Sequence, residues 1–392
     1  MNAFTLREAE HWTEAKLFPV FDNQIGIEPS PFVEKIKKVP LDAPKISANT
    51  PIGANGGVGF GSEDANIPES GAMLYDRFNL PVKALFGNLE LSDMALTLGT
   101  GDKSIKSILK EQTVSVKDTM SFVLAHSIIS GNGTGKICNV TAASSTDTFT
   151  VSDMRGLREG LKIDFYANGG STPAHAKKRI KSMNRKDKTI TIEGDPFTVA
   201  DGFITYQGSY NKSITGIDAI FDDSVTHLYG IEKADKSWIK PDVDTVSGMA
   251  EIDTKLRQMT QASEWYKGGK IDIMLAGDEA YAAYVDYLKT AKVYPVERQH
   301  FQGGVSAIEV LFGNRAVAFV NEQHVKSDEI IGLDTSTFEM PITPVKFLKQ
   351  SDGSAFQRVD HSSIWQAVMG IYTNVICKKP GAQFKLTGVT RS

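Results

Sequence analysis

Cysteine is nearly absent from this 392-residue sequence, which contains only Cys138 and Cys377. The two lie far apart, and neither has a second cysteine or a histidine at the spacing of a zinc-binding motif. These features exclude a disulfide-rich secreted scaffold and the common zinc arrangements. We therefore expect the chain to fold in a reducing cytoplasm.

Long apolar segments and an excess of positive charge are also missing. Charged residues at positions 7, 8, 10, 14 and 16 interrupt the N-terminal segment, which therefore lacks the apolar core of a signal peptide. No apolar run elsewhere approaches the roughly 20 residues that span a bilayer. The formal charge of -4 and the pI of about 6.0 provide no basic field for gripping nucleic acid. We expect a soluble protein that neither spans a membrane nor binds nucleic acid as its main task.

The sequence also lacks a recognisable set of catalytic residues. The segment 130–136, SGNGTGK, resembles a phosphate-binding loop, but Ser130 replaces its first glycine and Ile137 replaces its magnesium-binding hydroxyl. The Asp-His-Ser run at 360–362 has the residue types of a catalytic triad, yet sequence neighbours cannot form its linear geometry. The seven histidines include no HxH, HxxxH or HExxH pair. We predict no catalytic, cofactor-binding or metal-binding residue, and no enzymatic activity.

An arm rich in large apolar residues is the first positive feature. Residues 1–35 predict an amphipathic helix followed by a segment punctuated by prolines. Their large apolar side chains are too numerous for a disordered tail and include Phe4, Trp12, Leu17, Phe18 and Phe21. Because so short a segment cannot bury these rings on itself, we expect Trp12 and Phe18 to contact another surface.

A glycine-rich segment follows the arm. Six glycines and two prolines lie between residues 47 and 72, so no helical periodicity survives there. Strand-like residues at 44–46 and 80–85 flank this segment and predict a long two-stranded excursion. Loops of this length in compact domains are usually functional or disordered. We expect the tip to be mobile in the isolated subunit and to become ordered against a neighbour through Ile52, Phe60 and Ile67.

The strongest helix pattern in the chain comes next. Asp102 is a suitable N-cap, and apolar residues recur at helical spacing from position 105 to position 128. Gly131 stands where a glycine ends many helices. The pattern predicts a straight helix of about 28 residues, roughly 42 Å long. Such a rod directly after a long hairpin is unusual for the core of an enzyme.

Residues 136–210 change to a period of two and predict a small all-β module, a barrel or a sandwich. Lys178, Arg179 and Lys181 belong to a basic cluster on a predicted hairpin of this module. They could contact an acidic partner, either a neighbouring subunit or a phosphate. The alternative is a solvated hairpin whose charges keep an exposed sheet edge from pairing.

The remainder alternates between helix and strand. We predict helices at 246–267 and 278–290 and short strands at 271–275, 307–312, 316–320 and 330–333. A long strand is predicted at 365–378. This arrangement indicates an α+β domain around a central mixed sheet.

The order of these parts resembles the major capsid proteins of tailed bacteriophages along essentially the whole chain. Particular segments resemble the family as well: residues 106–133 its spine helix, residues 216–220 (GIDAI) the start of its axial domain, and residues 365–389 its terminal strands. The resemblance implies a structural subunit that assembles as hexamers and pentamers into an icosahedral head around double-stranded DNA. It implies no cofactor.

The resemblance also implies a division of the chain. We expect an N-terminal arm (1–40), an extended loop (41–85), a peripheral domain with the spine helix (86–135), an inserted β domain (136–210) and an axial domain (211–392). The C-terminal strands would return to the peripheral domain. Because the sequence reaches the arm directly from Met1, we expect the scaffold to be a separate protein.

The expected partners are further copies of the chain, the scaffolding protein, a portal and decoration proteins, with packaged DNA met only by nonspecific proximity. The expected locations are the virion and, during assembly, the host cytoplasm. Two alternatives remain. One is an encapsulin-type compartment shell, which shares the fold; the other is an enzyme of an unrelated α+β fold.

Overall fold

The computed structural model describes residues 30–53, 55–60, 69–92, 103–290, 296–300, 306–312, 315–349, 356–359 and 362–391. Within these ranges the buried apolar side chains form three hydrophobic cores. The first joins the long helix, the hairpin and one face of a central sheet. The second lies on the other face of that sheet, and the third belongs to the β module alone.

The first elements are a short helix, a strand and a long hairpin. Their bounds are α1 (Pro31–Lys35), β1 (Lys37–Pro40), β2 (Lys45–Ile52), β3 (Leu74–Pro81) and β4 (Lys83–Ser92). Strands β2 and β3 pair antiparallel along their whole length. The predicted excursion is therefore present in its described part. The prediction of one strand at 80–85 was wrong, because Val82 separates β3 from β4, and β4 pairs with a different sheet.

Helix α2 (Lys103–Ser130) has the 28 residues that its periodicity predicted. The predicted N-cap, Asp102, lies outside the described residues. At the other end the amides of Gly216 and Ile217 donate to the carbonyls of Gly131 and Ile128, at 3.0 and 2.8 Å. These bonds satisfy carbonyls that a helix end otherwise leaves unpaired.

The β module consists of residues 136–206 and contains eight strands. They are β5 (Lys136–Val140), β6 (Ala143–Thr146), β7 (Thr148–Thr150), β8 (Lys162–Ala167), β9 (His175–Asn184), β10 (Thr189–Ile192), β11 (Phe197–Val199) and β12 (Gly202–Tyr206). Six form a sheet in the order β5-β12-β8-β9-β10-β7, and β6 pairs with β11. Ile163, Phe165 and Ile190, which carried the predicted alternation, are fully buried in the module's core.

The rest of the chain, together with the residues before the module, is called the body here. Its next elements are α3 (Asp218–Phe221), β13 (His227–Leu228), β14 (Ile231–Glu232), β15 (Asp242–Thr245), α4 (Ile252–Lys267), β16 (Ile273–Ala276), α5 (Asp278–Thr290), β17 (Val296–His300), β18 (Ser306–Phe312), β19 (Arg315–Asn321) and β20 (Ile330–Leu333). The C-terminal strands are β21 (Phe338–Ile342), β22 (Lys346–Phe347), β23 (Phe356–Arg358), β24 (Ile364–Thr373), β25 (Ile376–Cys377) and β26 (Phe384–Thr387). Short 3₁₀ turns lie at Ser237–Ile239, Met249–Glu251, Thr335–Thr337 and Pro380–Ala382.

The central sheet has the order β15-β26-β20-β16-β19-β18-β17. The pairs β15–β26 and β16–β19 are parallel and the others are antiparallel, so the predicted mixed sheet is confirmed. Helix α5 has the predicted bounds. Helix α4 begins at Ile252, six residues later than predicted, and ends at the predicted Lys267, followed by Gly268, whose φ of 64° is left-handed.

A second seven-stranded sheet joins β4, the strand that follows the hairpin, to the C-terminal part of the chain. Its longest pairing runs antiparallel for ten residues, from Lys83 opposite Thr373 to Ser92 opposite Ile364. Helix α2 packs on this sheet at Gly87, where a side chain would collide with Met120. The helix and the two strands thus form one layered unit.

The predicted strand at 365–378 was wrong in its second half. Strand β24 ends at Thr373, and the side chain of Asn374 turns the chain: its Oδ1 accepts from the amide of Thr215 at 3.1 Å, and its Nδ2 donates to the carbonyl of Pro81 at 2.8 Å. Strand β25 then pairs with β21. Strand β26, which lies between β15 and β20, was not predicted from periodicity, but it falls within the segment 365–389 that was expected to form terminal strands.

Candidate assembly surfaces

The base of the β2–β3 hairpin is held on the body by a buried aromatic cluster. Phe78 is inaccessible to solvent and packs edge-to-face on Tyr229, with ring centroids 5.2 Å apart. Its ring also lies 5.8 Å from that of Trp238. The amide of Asn79 donates to the carbonyl of Tyr229 at 2.9 Å. The hairpin therefore leaves the body from a fixed base.

Polar contacts mark the point where the hairpin leaves the body. Thr50 Oγ1 donates to the carbonyl of Lys378 at 3.2 Å. On the opposite strand Asp76 Oδ2 lies 3.2 Å from Lys236 Nζ, an ion pair without hydrogen-bond alignment. Beyond these residues the described part of the hairpin is largely exposed.

The outer end of the hairpin carries an exposed apolar surface. We call it the tip surface, and it consists of Val58, Phe60, Met73, Leu74 and Tyr75, which are 87, 112, 43, 68 and 63% exposed. Leu74 and Tyr75 are successive residues of β3, so their side chains project to opposite faces of the hairpin. Several exposed large apolar side chains at one end of an element indicate an interaction site. Full burial of one such side chain contributes roughly 1.5–3 kcal/mol.

The predicted anchors coincide only partly with this surface. Phe60 belongs to it, and Ile52 is half-buried beside it at the end of β2. Ile67, Trp12 and Phe18 lie outside the described residues. Sequence reasoning missed Leu74 and Tyr75, because they adjoin the glycine-rich segment without showing an apolar pattern of their own.

The three predicted basic contacts of the module do not converge on one partner. Lys178 Nζ lies 4.5 Å from the ring centroid of Phe197, within its own module. Arg179 Nη1 is 3.4 Å from Glu193 Oε2, in a surface ion pair, and Lys181 is exposed. Arg179 and Lys181 are exposed, whereas Lys178 is half-buried.

Strand β9, which carries all three residues, lies between β8 and β10 but pairs with each over only part of its length. Its first half pairs with β8, from His175 to Arg179, and its second half pairs with β10, from Ile180 to Asn184. A role of the charges in protecting the unpaired stretches of these edges therefore stays a prediction.

The described residues offer no site for the chemistry that the sequence analysis considered. They hold no cluster of three or more metal-ligating side chains. Cys138 and Cys377 are unpaired and buried, and burial raises the pKa of each thiol to about 12. Asp360 and His361 lie outside the described residues.

The glycine-rich segment after helix α2 is a closed turn. Asn132 Oδ1 accepts hydrogen bonds from the amide of Thr134 at 3.1 Å and from its hydroxyl at 2.6 Å. Its Nδ2 donates to Asp222 Oδ2 at 3.1 Å. The turn follows a helix and leads into β5, the reverse of the strand-to-helix order of a phosphate loop.

Among the described residues, no helix combines the length and the apolarity needed to cross a membrane. No protein-family profile matches the sequence, and no curated protein matches it.

A solved structure provides the comparison that the sequence alone does not. The chain superposes on a protein from the cyanophage A-1(L) capsid asymmetric unit with a TM-score of 0.53. The superposition covers 92% of this chain and 93% of the other, at 9% sequence identity. The chain has the phage capsid fold. At this identity the likeness concerns the fold alone.

Two further structures of similar extent were found. The holo-SrpI encapsulin complex from Synechococcus elongatus PCC 7942 gives a TM-score of 0.49 at 11% identity, covering 95% of this chain and 91% of that one. The capsid of a native GTA particle gives 0.48 at 11% identity, covering 92% and 90%. The assignment of the phage capsid fold rests on the cyanophage comparison.

Proposed function

We propose that this chain is the major capsid protein of a tailed-phage head, a structural subunit that assembles through hexamers and pentamers and catalyses no reaction. The observation that carries the proposal is the tip surface on a hairpin with a fixed base, in a chain with the phage capsid fold. The chain itself leaves these side chains exposed. A second copy is the partner that a shell would supply.

The proposed division of the chain follows the expected order. Residues 1–40 are the arm, 41–85 the extended loop, 86–135 the peripheral domain, 136–210 the inserted β domain and 211–392 the axial domain. The pairing of β24 with β4 supports the return of the C-terminal strands to the peripheral domain. The separate core of the β module supports its status as an insertion.

The energetics of the tip surface suit reversible assembly. Each anchor contributes roughly 1.5–3 kcal/mol on burial. Association costs about 4–15 kcal/mol in lost rigid-body freedom. One hairpin contact therefore holds two subunits weakly, and a closed ring of repeated contacts makes the assembly stable. Weak individual contacts let misplaced subunits leave.

The proposal extends to partners and location. A separate scaffolding protein, a portal and decoration proteins would accompany the subunit, and the mature shell would be part of the virion. Arg179 and Lys181 are candidates for a contact with an acidic neighbour, since Lys178 already packs on Phe197. The arm residues Trp12 and Phe18 are proposed to contact an adjacent surface.

The tip surface gives the direct test. We expect Leu74→Ser/Tyr75→Ser to leave the melting temperature of the free subunit nearly unchanged, because both side chains are exposed. The yield of rings and shells should fall by more than about tenfold, since two anchors exceed the 1.4 kcal/mol that a factor of ten requires. The chain would be expressed alone and with its flanking genes, then examined by velocity sedimentation and electron microscopy.

Leu311→Ser is the matched control, because Leu311 is 65% exposed and lies on β18, away from the hairpin. An equal loss of assembly in the control would show that the tip surface has no special role. Normal assembly of the double variant would contradict its role as an assembly element. A wild-type chain that stays monomeric under every condition would contradict the shell itself.

The alternative function is a compartment shell of the encapsulin type, which has to be distinguished from a phage head. Genes for a portal, a protease and a terminase beside the gene of this chain would favour the phage head. Their absence, together with an enclosed cargo protein in purified shells, would favour the compartment.

A further inference from the structure

The β module rests on the body through a short segment, residues 153–158. The guanidinium of Arg158 stacks over the ring of Phe122 on helix α2, 3.7 Å from its centroid. Arg155 Nη1 donates to the carbonyl of His324, in the turn between β19 and β20, at 3.2 Å. Tyr206 Oη donates to the carbonyl of Gly156 at 2.8 Å, which fixes the segment to its own module.

Two buried histidines meet beneath this segment. His126 projects from helix α2, and its ring centroid lies 5.6 Å from that of His324. Their residues are 5% and 1% exposed. Within the described part of the chain, His126 Nδ1 has no hydrogen-bond partner. We call this contact the histidine junction.

The surroundings of His126 favour its neutral form. Its pKa is lowered from 6.5 to about 3, mainly by burial and in smaller part by the nearby His324 and Arg155, while Asp153 opposes these effects. The titratable and charged groups that face the junction from the packed elements are Cys138, Asp153, Arg155, Arg158, Tyr206, Glu322, His324 and Lys326. The carboxylate of Asp153 already accepts hydrogen bonds from two nitrogens of the Arg155 guanidinium, Nε and Nη2. Its carboxylate is therefore poorly placed to neutralise a second cation.

Water has a route to the junction. A cleft of about 610 Å³ between the module and the body includes His126 and His324 in its lining. Arg185 and Lys188 of the β9–β10 turn line it from the module, and Asp278 and Asp328 line it from the body. His126 Nδ1 nevertheless stays buried beside this cleft, so an imidazolium formed there becomes fully hydrated when the module moves off the body.

The module can move without unfolding. Its twelve buried core residues form a cluster separate from both cores of the body. Its strands pair only with one another among the residues that the structure describes, apart from isolated bridges at its ends. Separation at residues 153–158 would leave these pairings intact.

We propose that the contact of the β module with the body over the histidine junction, made by residues 153–158 and by Tyr206 against His126, is an acid-sensitive attachment, which holds the module on the body near neutral pH and releases it as a folded unit on acidification. The attached state disfavours the proton on His126, and the released state accepts it. The attachment is therefore at full strength above about pH 6.5 and weakens as the pH falls toward 3. For one proton the opening constant rises about tenfold per pH unit in this window.

The test is amide hydrogen exchange of the free, full-length subunit. Each rate is expressed as a protection factor, relative to the exchange rate of an unstructured peptide at the same pH, so that the pH dependence of the exchange chemistry itself cancels. Between pH 6.5 and pH 4.5 we expect protection at 153–158 and 322–326 to fall by about a hundredfold. The amides of β12, inside the module, should stay protected. Constant protection at both segments would overturn the proposal, as would equal loss in β12, which would indicate unfolding.

Variants assign the effect to the junction. His126→Gln should abolish the acid response, while His227→Gln, which alters an exposed histidine of the body, should keep it. If His126→Gln does not fold, exchange of the imidazole C2 proton in the wild-type chain replaces it. The measured quantity is the pH at which the exchange rate of the C2 proton is half-maximal. We expect this pH to be well below that of His227 for His126, and equal values for the two histidines would contradict the proposal. The measurement uses free subunits, so it is independent of shell formation.

Discussion

At the scale of single residues, Lys385 is a buried cation shared between two carboxylates. Its Nζ lies 2.6 Å from Asp218 Oδ1 and 3.0 Å from Glu329 Oε2. Lys385 belongs to β26, Asp218 begins α3, and Glu329 precedes β20, so three separate parts of the chain meet at one ammonium group. The side chains of Lys385 and Glu329 are less than one-tenth exposed, which limits screening by solvent.

Replacing Lys385 by methionine should therefore be strongly destabilising. Lys385→Met keeps the length of the side chain but removes the cation that Asp218 and Glu329 share, and it leaves the buried Glu329 with Lys326 alone, 3.2 Å away. We expect the free energy of unfolding to fall by roughly 3–5 kcal/mol, the usual effect of removing one partner of a buried pair. This change in the free energy of unfolding would be measured by urea unfolding of the free subunit at neutral pH.

The control is Lys346→Met on the exposed side of β22, which should change the free energy by less than about 0.5 kcal/mol. A loss below about 1 kcal/mol for Lys385→Met would show that the two carboxylates find other partners. No local pattern in the sequence indicates this contact, since 167 residues separate Lys385 from Asp218.

At the scale of elements, the end of helix α2 depends on a backbone contact. Gly216 lies so close to the last turn that a Cβ would collide with the carbonyl oxygens of Ser127 and Ile128. This proximity allows the amides of Gly216 and Ile217 to cap the helix. The GIDAI segment, noted for its resemblance to capsid proteins, thus has a physical role in ending the helix.

Gly216→Ala should separate the helix from its cap. We expect a loss of roughly 1–3 kcal/mol in the free energy of unfolding, the usual cost of overpacking a tight contact. Gly248→Ala is the matched control, because an added methyl group there meets no atom within 4 Å and its φ of -175° suits any residue. Thermal melts of both variants provide the comparison. Equal melting temperatures would mean that the loop adjusts without cost.

Elements with a long, regular pattern were predicted well from the sequence. Helix α2 repeats its apolar face over 28 residues, and helix α5 has both ends as predicted. The strand at 365–378 was overextended because apolar residues continue past Asn374, at 375–377, whereas the turn at Asn374 depends on Pro81 and Thr215, far away in the sequence. Strand β26 has only four residues, too few for a pattern.

At the scale of the whole molecule, the order of the parts was visible in the sequence, but their contacts were not. The aromatic side chains of the hairpin base meet only after the chain has folded, as Phe78 and Trp238 do. The tip surface likewise combines Val58 and Phe60 of the glycine-rich segment with Met73, Leu74 and Tyr75, which follow it. The histidine junction joins His126 to His324, and neither has a motif that indicates the other.

The β module should fold when it is separated from the rest of the chain. We expect residues 134–211 to give a cooperative thermal melt by circular dichroism, because their core and strand pairing are internal. A chain of this size gains only about 3–5 kcal/mol from a single core. Phe149→Ala, which removes a fully buried ring, should therefore abolish the transition. A gradual melt of the unmodified fragment would contradict independent folding.

The two ends of the module have a consequence for how such a chain can be altered by evolution or by design. Strands β5 and β12 are direct partners, so the polypeptide enters and leaves the module at neighbouring residues, Lys136 and Thr205. The amide of Asn211 donates to the carbonyl of Thr134 at 2.7 Å and closes this stem. A foreign domain with adjacent termini could be grafted onto the same stem, as a display platform requires, without stretching the body. A bare deletion is a different operation, since it would uncover Phe122 and His126, which a graft would have to shield anew.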